Sequence, residues 1–196
     1  MSDFDAKLAA SQYREAARAM NSLFAEHLFS LCSGCLEALY GAAPRRATPR
    51  MELVEGVFPG CCQAGVSEDF RSSQDEESEY LPEALVAEII GARDESLGRN
   101  NTAFVIRDVV TGEIKRGAGC RWLGDGGCSL GELKSTLCLG FLCDAAHSRL
   151  GAKDLEAEFA KVLEAIAGGG ERASIRLRAF KGYILALKES LSKSAG

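Results

Sequence analysis

Eight cysteines stand in this chain: Cys32, Cys35, the adjacent pair Cys61 and Cys62, then Cys120, Cys128, Cys138 and Cys143. The chain opens Met-Ser-Asp-Phe-Asp-Ala-Lys, without the apolar run and small-residue cleavage site of an export signal. That opening leads us to expect a reducing, cytoplasmic setting, in which thiols persist rather than pair as disulfides. Clustered thiols of this kind bind soft metals, either zinc or iron in an iron–sulfur cluster. Only two histidines, His27 and His147, are present. Cys2His2 fingers are thus nearly excluded, and a site must be mostly or wholly sulfur.

The densest group is Cys120, Cys128, Cys138 and Cys143, with seven, nine and four residues between neighbours. Gly124, Gly126 and Gly127 lie among them, and glycine lets backbone approach a ligand closely. Buried cysteine as a small core residue is the alternative, but glycine contributes no packing to such a core. Cys61 and Cys62 follow Pro59-Gly60, a turn signal. Adjacent side chains diverge, so two such ligands serve different metals or opposite edges of one cluster. A strained vicinal disulfide is the oxidising alternative. Cys32-x-x-Cys35 has a common metal-ligand spacing. Thioredoxin-like redox chemistry uses the same spacing, but there the motif opens a helix; here a helix precedes it. We expect at least one of Cys61 and Cys62 to share a centre with the Cys120–Cys143 group.

His147 follows Cys143 by four residues, and a helix over 139–149 would turn both to one side; a partly exposed helix histidine is the plainer reading. His27 lies on an apolar helix face, as a core histidine or a group near Cys32. Arg121 and Lys134 are either surface charges or partners of a thiolate site. No Ser/His/Asp arrangement, phosphate loop or dinucleotide fingerprint appears, and no residue is assigned a catalytic role.

The run CRWLGDGGCSLGELKSTLCLGFLC resembles the second half of the CxxCxxCC (YkgJ-like) family of zinc- or iron-chelating cysteine-cluster proteins. Cys120, Trp122, Leu123, Gly127, Cys128, Ser129, Cys138 and Cys143 match its pattern position by position. Gly60-Cys61-Cys62 looks like the end of its first half, whereas Cys32-x-x-Cys35 lies 25 residues earlier. Lys134-Ser135-Thr136 stands where the family has Arg-Pro before its third cysteine. The resemblance implies metal ligation by Cys120, Cys128, Cys138 and Cys143, with no particular reaction.

Positioning these sulfurs falls to a chain of 196 residues, enough for one sizeable domain. It is 46% hydrophobic and 26% charged, an ordinary globular mix. No apolar run reaches membrane-spanning length. A net charge of −5 argues against nucleic acid or anionic lipid as a partner. Three- and four-residue steps predict a helix over 4–31, with Tyr13, Ala16, Ala17, Met20, Leu23, Phe24, His27, Leu28 and Leu31 on its apolar face. Residues 41–50 read as a loop and 52–58 as a short strand. The acidic, serine-rich stretch 67–79 reads as a solvated loop, or a docking surface for a basic partner. Leu81-Pro82 opens a helix to about Leu97. Residues 103–116 read as a β-hairpin turning at Thr111-Gly112. Two closing helices, about 152–167 and 172–192, are split by Gly168-Gly169-Gly170 and should pack antiparallel.

The expected fold is mainly α (α+β): a single helical domain over 1–196, with one small β-hairpin and a cysteine-rich, metal-binding loop region at 117–147. The irregular sulfur spacings suit an object wider than one ion, so iron–sulfur, in its 4Fe-4S form, is expected ahead of zinc. All eight cysteines are candidate metal ligands. The function classes are a redox, electron-transfer or sensing protein acting with a protein redox partner, a zinc-stabilised interaction module, and a metal-chelating or delivery protein.

Overall fold

The computed structural model describes residues 4–28, 51–56, 66–71, 78–97, 103–124, 127–140 and 144–194. Mainly helical, it carries a small antiparallel sheet. Helix α1 (Ala6–His27) starts where the Asp5 side chain accepts from the Leu8 amide at 3.0 Å, meeting an otherwise orphaned N–H. Leu28 follows it, its N–H donating to the Phe24 carbonyl; the expected end at 31 lies outside the described residues. The predicted face is buried at Tyr13, Ala16, Ala17, Met20, Leu23 and Leu28, while Phe24 and His27 are only partly covered.

Helix α2 (Glu83–Ser96) begins directly after Pro82 and buries Leu85 and Ile89. Near the C-terminus, α5 (Leu155–Gly168) and α6 (Gly170–Ser194) meet at Gly169. There φ of +69° ends α5, and the Gly169 amide returns to the Ala165 and Ile166 carbonyls. Phe159 and Phe180, roughly equidistant from this joint, place their rings 5.7 Å apart. The pair folds back as the antiparallel hairpin the short connection required. Helices α1, α2, α5 and α6 share one continuous apolar core.

The sheet is larger than the expected hairpin. Strand β1 (Met51–Gly56) pairs with β2 (Ala103–Asp108), which pairs with β3 (Ile114–Ala118). The local signal identified β1 as a strand but could not supply its partner, which lies some fifty residues on. Asp108 shapes the β2–β3 turn by accepting from the Val110 and Thr111 amides at 2.8 and 3.1 Å, and Gly112 takes φ +74°. Those bonds favour the carboxylate and lower the Asp108 pKa.

A second difference lies in the acidic stretch. Residues 72–77 are outside the described residues; at the start of the stretch a 3-10 turn over Val66–Glu68 leads to Phe70, which is 1% exposed. Phe70 packs against Tyr13 with ring centroids 6.2 Å apart. One apolar residue among acids is enough to fix that end of the segment. Among the described residues, no helix is long and apolar enough to cross a membrane.

Candidate metal centre

Strand β3 delivers the chain to Cys120, and a two-residue ladder then folds it back on itself. Strand β4 (Leu123–Gly124) pairs with β5 (Gly127–Cys128), with Leu123 opposite Cys128. Beyond that pair, the Trp122 carbonyl accepts from both the Ser129 amide (2.9 Å) and its hydroxyl (3.0 Å). Cys120 and Cys128 thus sit on opposite arms of one tight hairpin. A 3-10 turn, Gly131–Leu133, carries the chain to α3 (Thr136–Gly140). Ser135 Oγ accepts from the Cys138 amide at 3.1 Å, capping the start of α3 and fixing the third thiol. Helix α4 (Asp144–Leu150) follows.

The three thiols are free, with Cys120 buried and Cys128 and Cys138 partly so. Burial pushes Cys138 up to about 11; the neighbouring Cys128 and Cys120 push the same way, against Ser135 and Lys134. Burial likewise raises Cys128, assisted by Cys120 and opposed by Lys134, the Leu130 amide and Arg93. Metal binding there must displace protons. Among the described residues, no three His, Cys, Asp or Glu side chains converge closely enough to hold an ion by themselves.

Around the thiols the hairpin has a core of its own. Cys120, Trp122 and Leu130 form a small buried cluster, with Cys128 and Leu97 against it. Leu97 also packs on the main core, as Leu133 and Leu139 do. The cysteine-rich region is thus built into the helical body rather than resting on its surface. Its polar ties run to α1. Tyr13 donates to the Lys134 carbonyl at 2.6 Å, Arg14 and Arg18 both pair with Glu132, and Lys134 donates to Asn21 Oδ1.

The chain after Cys61-Cys62 docks on the same place. Ser67 and Leu133 offer their carbonyls to Arg93 at 2.9 and 2.8 Å, and Glu68 pairs with Arg121. The Asp69 carbonyl accepts from the Leu137 amide at 3.3 Å and from Thr136 Oγ1 at 3.2 Å.

Arg93 is the residue that sequence reasoning passed over. It is 1% exposed and lies between two rings, its guanidinium carbon 5.6 Å from the Phe70 centroid and 5.7 Å from that of Trp122. Its position continues the four-residue step of Leu85 and Ile89, which is the signal that could have found it. Arg121 proves to be a partner of Glu68 and lies over Trp122 at 5.2 Å. Lys134 is the half-buried cation whose charge acts on both Cys128 and Cys138.

Of the predicted ligands, Cys120, Cys128 and Cys138 are gathered in one region; Cys32, Cys35, Cys61, Cys62 and Cys143 lie outside the described residues. His147 pairs with Glu156 at 3.2 Å. His27 ends α1, its buried Nε2 without a hydrogen-bond partner. No family model matches the chain, and no curated protein or solved structure shows significant similarity to it.

Proposed function

We propose that this protein is a cysteine-ligated metal-binding protein whose centre is built on Cys120, Cys128 and Cys138, with Cys143 and at least one of Cys61 and Cys62 completing it. The observation that carries this reading is that Cys120 and Cys128 pack in one small cluster with Trp122, over which the buried Arg93 lies, while Cys138 stands on the short helix that follows. Neutral core cysteines need no such company. The docking of Ser67, Glu68 and Asp69 on the same region adds support. Val66 stands four residues after Cys62, and four residues span at most about 14 Å. Cys61 and Cys62 are thus within chain reach of the second group. The likeness of 120–143 to the CxxCxxCC family points the same way.

The centre we propose is an iron–sulfur cluster, because the uneven ligand spacing and the approach from a hairpin, a short helix and a distant segment suit a wide perimeter. Such a cluster, when bound, supplies one-electron redox chemistry. The chain's own part is to present thiolates, shield them with Trp122 and Leu130, and offset their charge with Arg93 and Lys134. Electron transfer or redox sensing for a protein partner is the corresponding role.

Anaerobic purification, metal and sulfide analysis and a visible spectrum test this. A brown protein with a broad shoulder near ~400 nm that bleaches on reduction is expected, and replacing Cys120, Cys128 or Cys138 by Ser should diminish it. A colourless, zinc-loaded protein that loses zinc with the same substitutions would retain the thiolate centre and reject the cluster. All eight thiols reacting rapidly in the native protein, with no metal released, would reject both.

A further inference from the structure

A guanidinium taken out of water needs an anion, because a buried unpaired charge costs several kcal/mol. Arg93 is that buried, and although Glu68 and Asp94 act on it from farther off, among the described residues no carboxylate is paired directly with it. Its two hydrogen bonds go to the neutral carbonyls of Ser67 and Leu133, and its Nε–H is buried with no acceptor. The ring it lies against, Trp122, has the same defect: fully buried, with an indole N–H that meets no partner. Three orphaned donors thus meet at one ring, the Nε–H of Arg93, the Nε–H of Arg121 and the indole N–H itself, and Trp122 shares its cluster with Cys120 and Cys128. Methionine or leucine would fill the same space more cheaply if packing were the only demand.

Resting on the metal-centre reading above, we propose that Arg93 is the buried counter-cation of the thiolate centre, and that its Nε–H and the Trp122 indole N–H are donors held for the thiolates of the loaded site. Four thiolates around a divalent ion, or around a cluster core of charge 2+, leave two net negative charges in either case. Arg93 and the half-buried Lys134 supply two positive ones. Donors to metal-bound sulfur also stabilise the ligated form, and losing such a partner typically weakens metal binding by about 10–100-fold. Arg93 acts as a positioning residue, through the thiolates rather than on the metal.

The test uses the full chain, reduced and metal-free, with zinc(II) as probe and a chromophoric chelator as competitor. Arg93→Met should weaken zinc binding by about 10–100-fold, and Arg93→Lys should recover most of it. Arg107→Met, on the exposed sheet pair with Glu52, should leave it unchanged. A purely structural Arg93 would lower the thermal midpoint of the metal-free protein while leaving zinc affinity intact, and Lys, lacking the planar fork, would rescue no better than Met. Either result overturns the proposal. Should Arg93→Met fail to fold, the parent protein decides. Its single tryptophan gives one indole N–H signal, and zinc should shift that signal and the Arg93 Nε–H signal. If neither moves on loading, the proposal is wrong while the metal centre stands. A parent that binds neither zinc nor iron removes the metal-centre reading, and this one with it.

Discussion

Tyr13 is completely buried, and its hydroxyl is one of several ties between α1 and the turn that leads to Cys138. Burial, with Cys138 nearby, holds its pKa well above the ordinary phenol value, although Arg93 pulls the other way. It is therefore a neutral donor, and the Lys134 carbonyl is its acceptor. Tyr13→Phe keeps the ring and its packing on Phe70 but leaves that carbonyl without its donor. A loss of about 1–2 kcal/mol is expected, read as a lower urea midpoint with an unchanged slope. Phe70 is the other single residue on which much depends. Phe70→Ala should cost about 3–5 kcal/mol, and should also expose one face of Arg93. Its effect on stability should greatly exceed that of Glu132→Gln, because the partners of Glu132, Arg14 and Arg18, are largely solvated.

At the scale of elements, the sheet and the cysteine hairpin depend on backbone more than on side chains. Gly56 and Gly112 both take positive φ, near +79° and +74°. They differ in what surrounds them. A Cβ on Gly56 would fall 2.1 Å from the Ala103 carbonyl oxygen, whereas one on Gly112 meets nothing. Gly112→Ala should therefore cost only the left-handed conformation, about 1–2 kcal/mol. Gly56→Ala must in addition push β1 from β2, so its cost should be clearly the larger. Hydrogen exchange should then show lost protection at Met51–Gly56 for Gly56→Ala alone. The cysteine hairpin should respond to metal removal unevenly. Among the described residues of this hairpin, Cys120, Trp122 and Cys128 pack in the small cluster with Leu130 and Leu97, while Leu133 and Leu139 belong to the main core. Exchange on loaded and stripped protein should show protection lost at 120–128 and kept through 131–140. Equal loss across both stretches would overturn that division.

For the molecule as a whole, the response to acid follows from carboxylates held below their ordinary range, and among the described residues these are Asp69, Glu132 and Asp108. Burial would raise Asp69, but its hydrogen bonds from Arg71 prevail and hold it low. Arg18 and Arg14 lower Glu132, and the turn amides lower Asp108. In each case the folded pKa lies below the unfolded value, near 3.9 for Asp and 4.3 for Glu. The folded state thus binds these protons less readily than the unfolded chain. Their contribution is complete above the unfolded values and is lost as pH falls through the folded ones. The urea midpoint of the metal-free protein should hold steady above about pH 5 and decline below it. Asp108→Asn, which keeps an oxygen for the turn amides but cannot titrate, should make that decline shallower.

The sequence by itself determined the four long helices, α1, α2, α5 and α6, because a 3.6-residue apolar period is a local property and survives being read without neighbours; it did not determine the short α3 and α4. It determined the turn at Gly112, the break at Gly168–Gly170 and the supply of thiols. It also marked 120–143 as the densest sulfur run; Cys120, Cys128 and Cys138 are its described members, and among the described residues no three ligating side chains converge on one point. The tertiary structure alone decided the rest. Strand β1 finds its partner some fifty residues away, a pairing no local pattern encodes. Phe70, read as part of a solvated acidic stretch, became core because α1 and α2 leave a place for its ring. Arg93 held a core position on α2 all along, but a charge there reads as solvent-facing until its surroundings are known. Ser67 with Phe70, Trp122 and Leu133 come from three separate parts of the chain to enclose it, and burial of a charge is settled only by what the folded chain places around it.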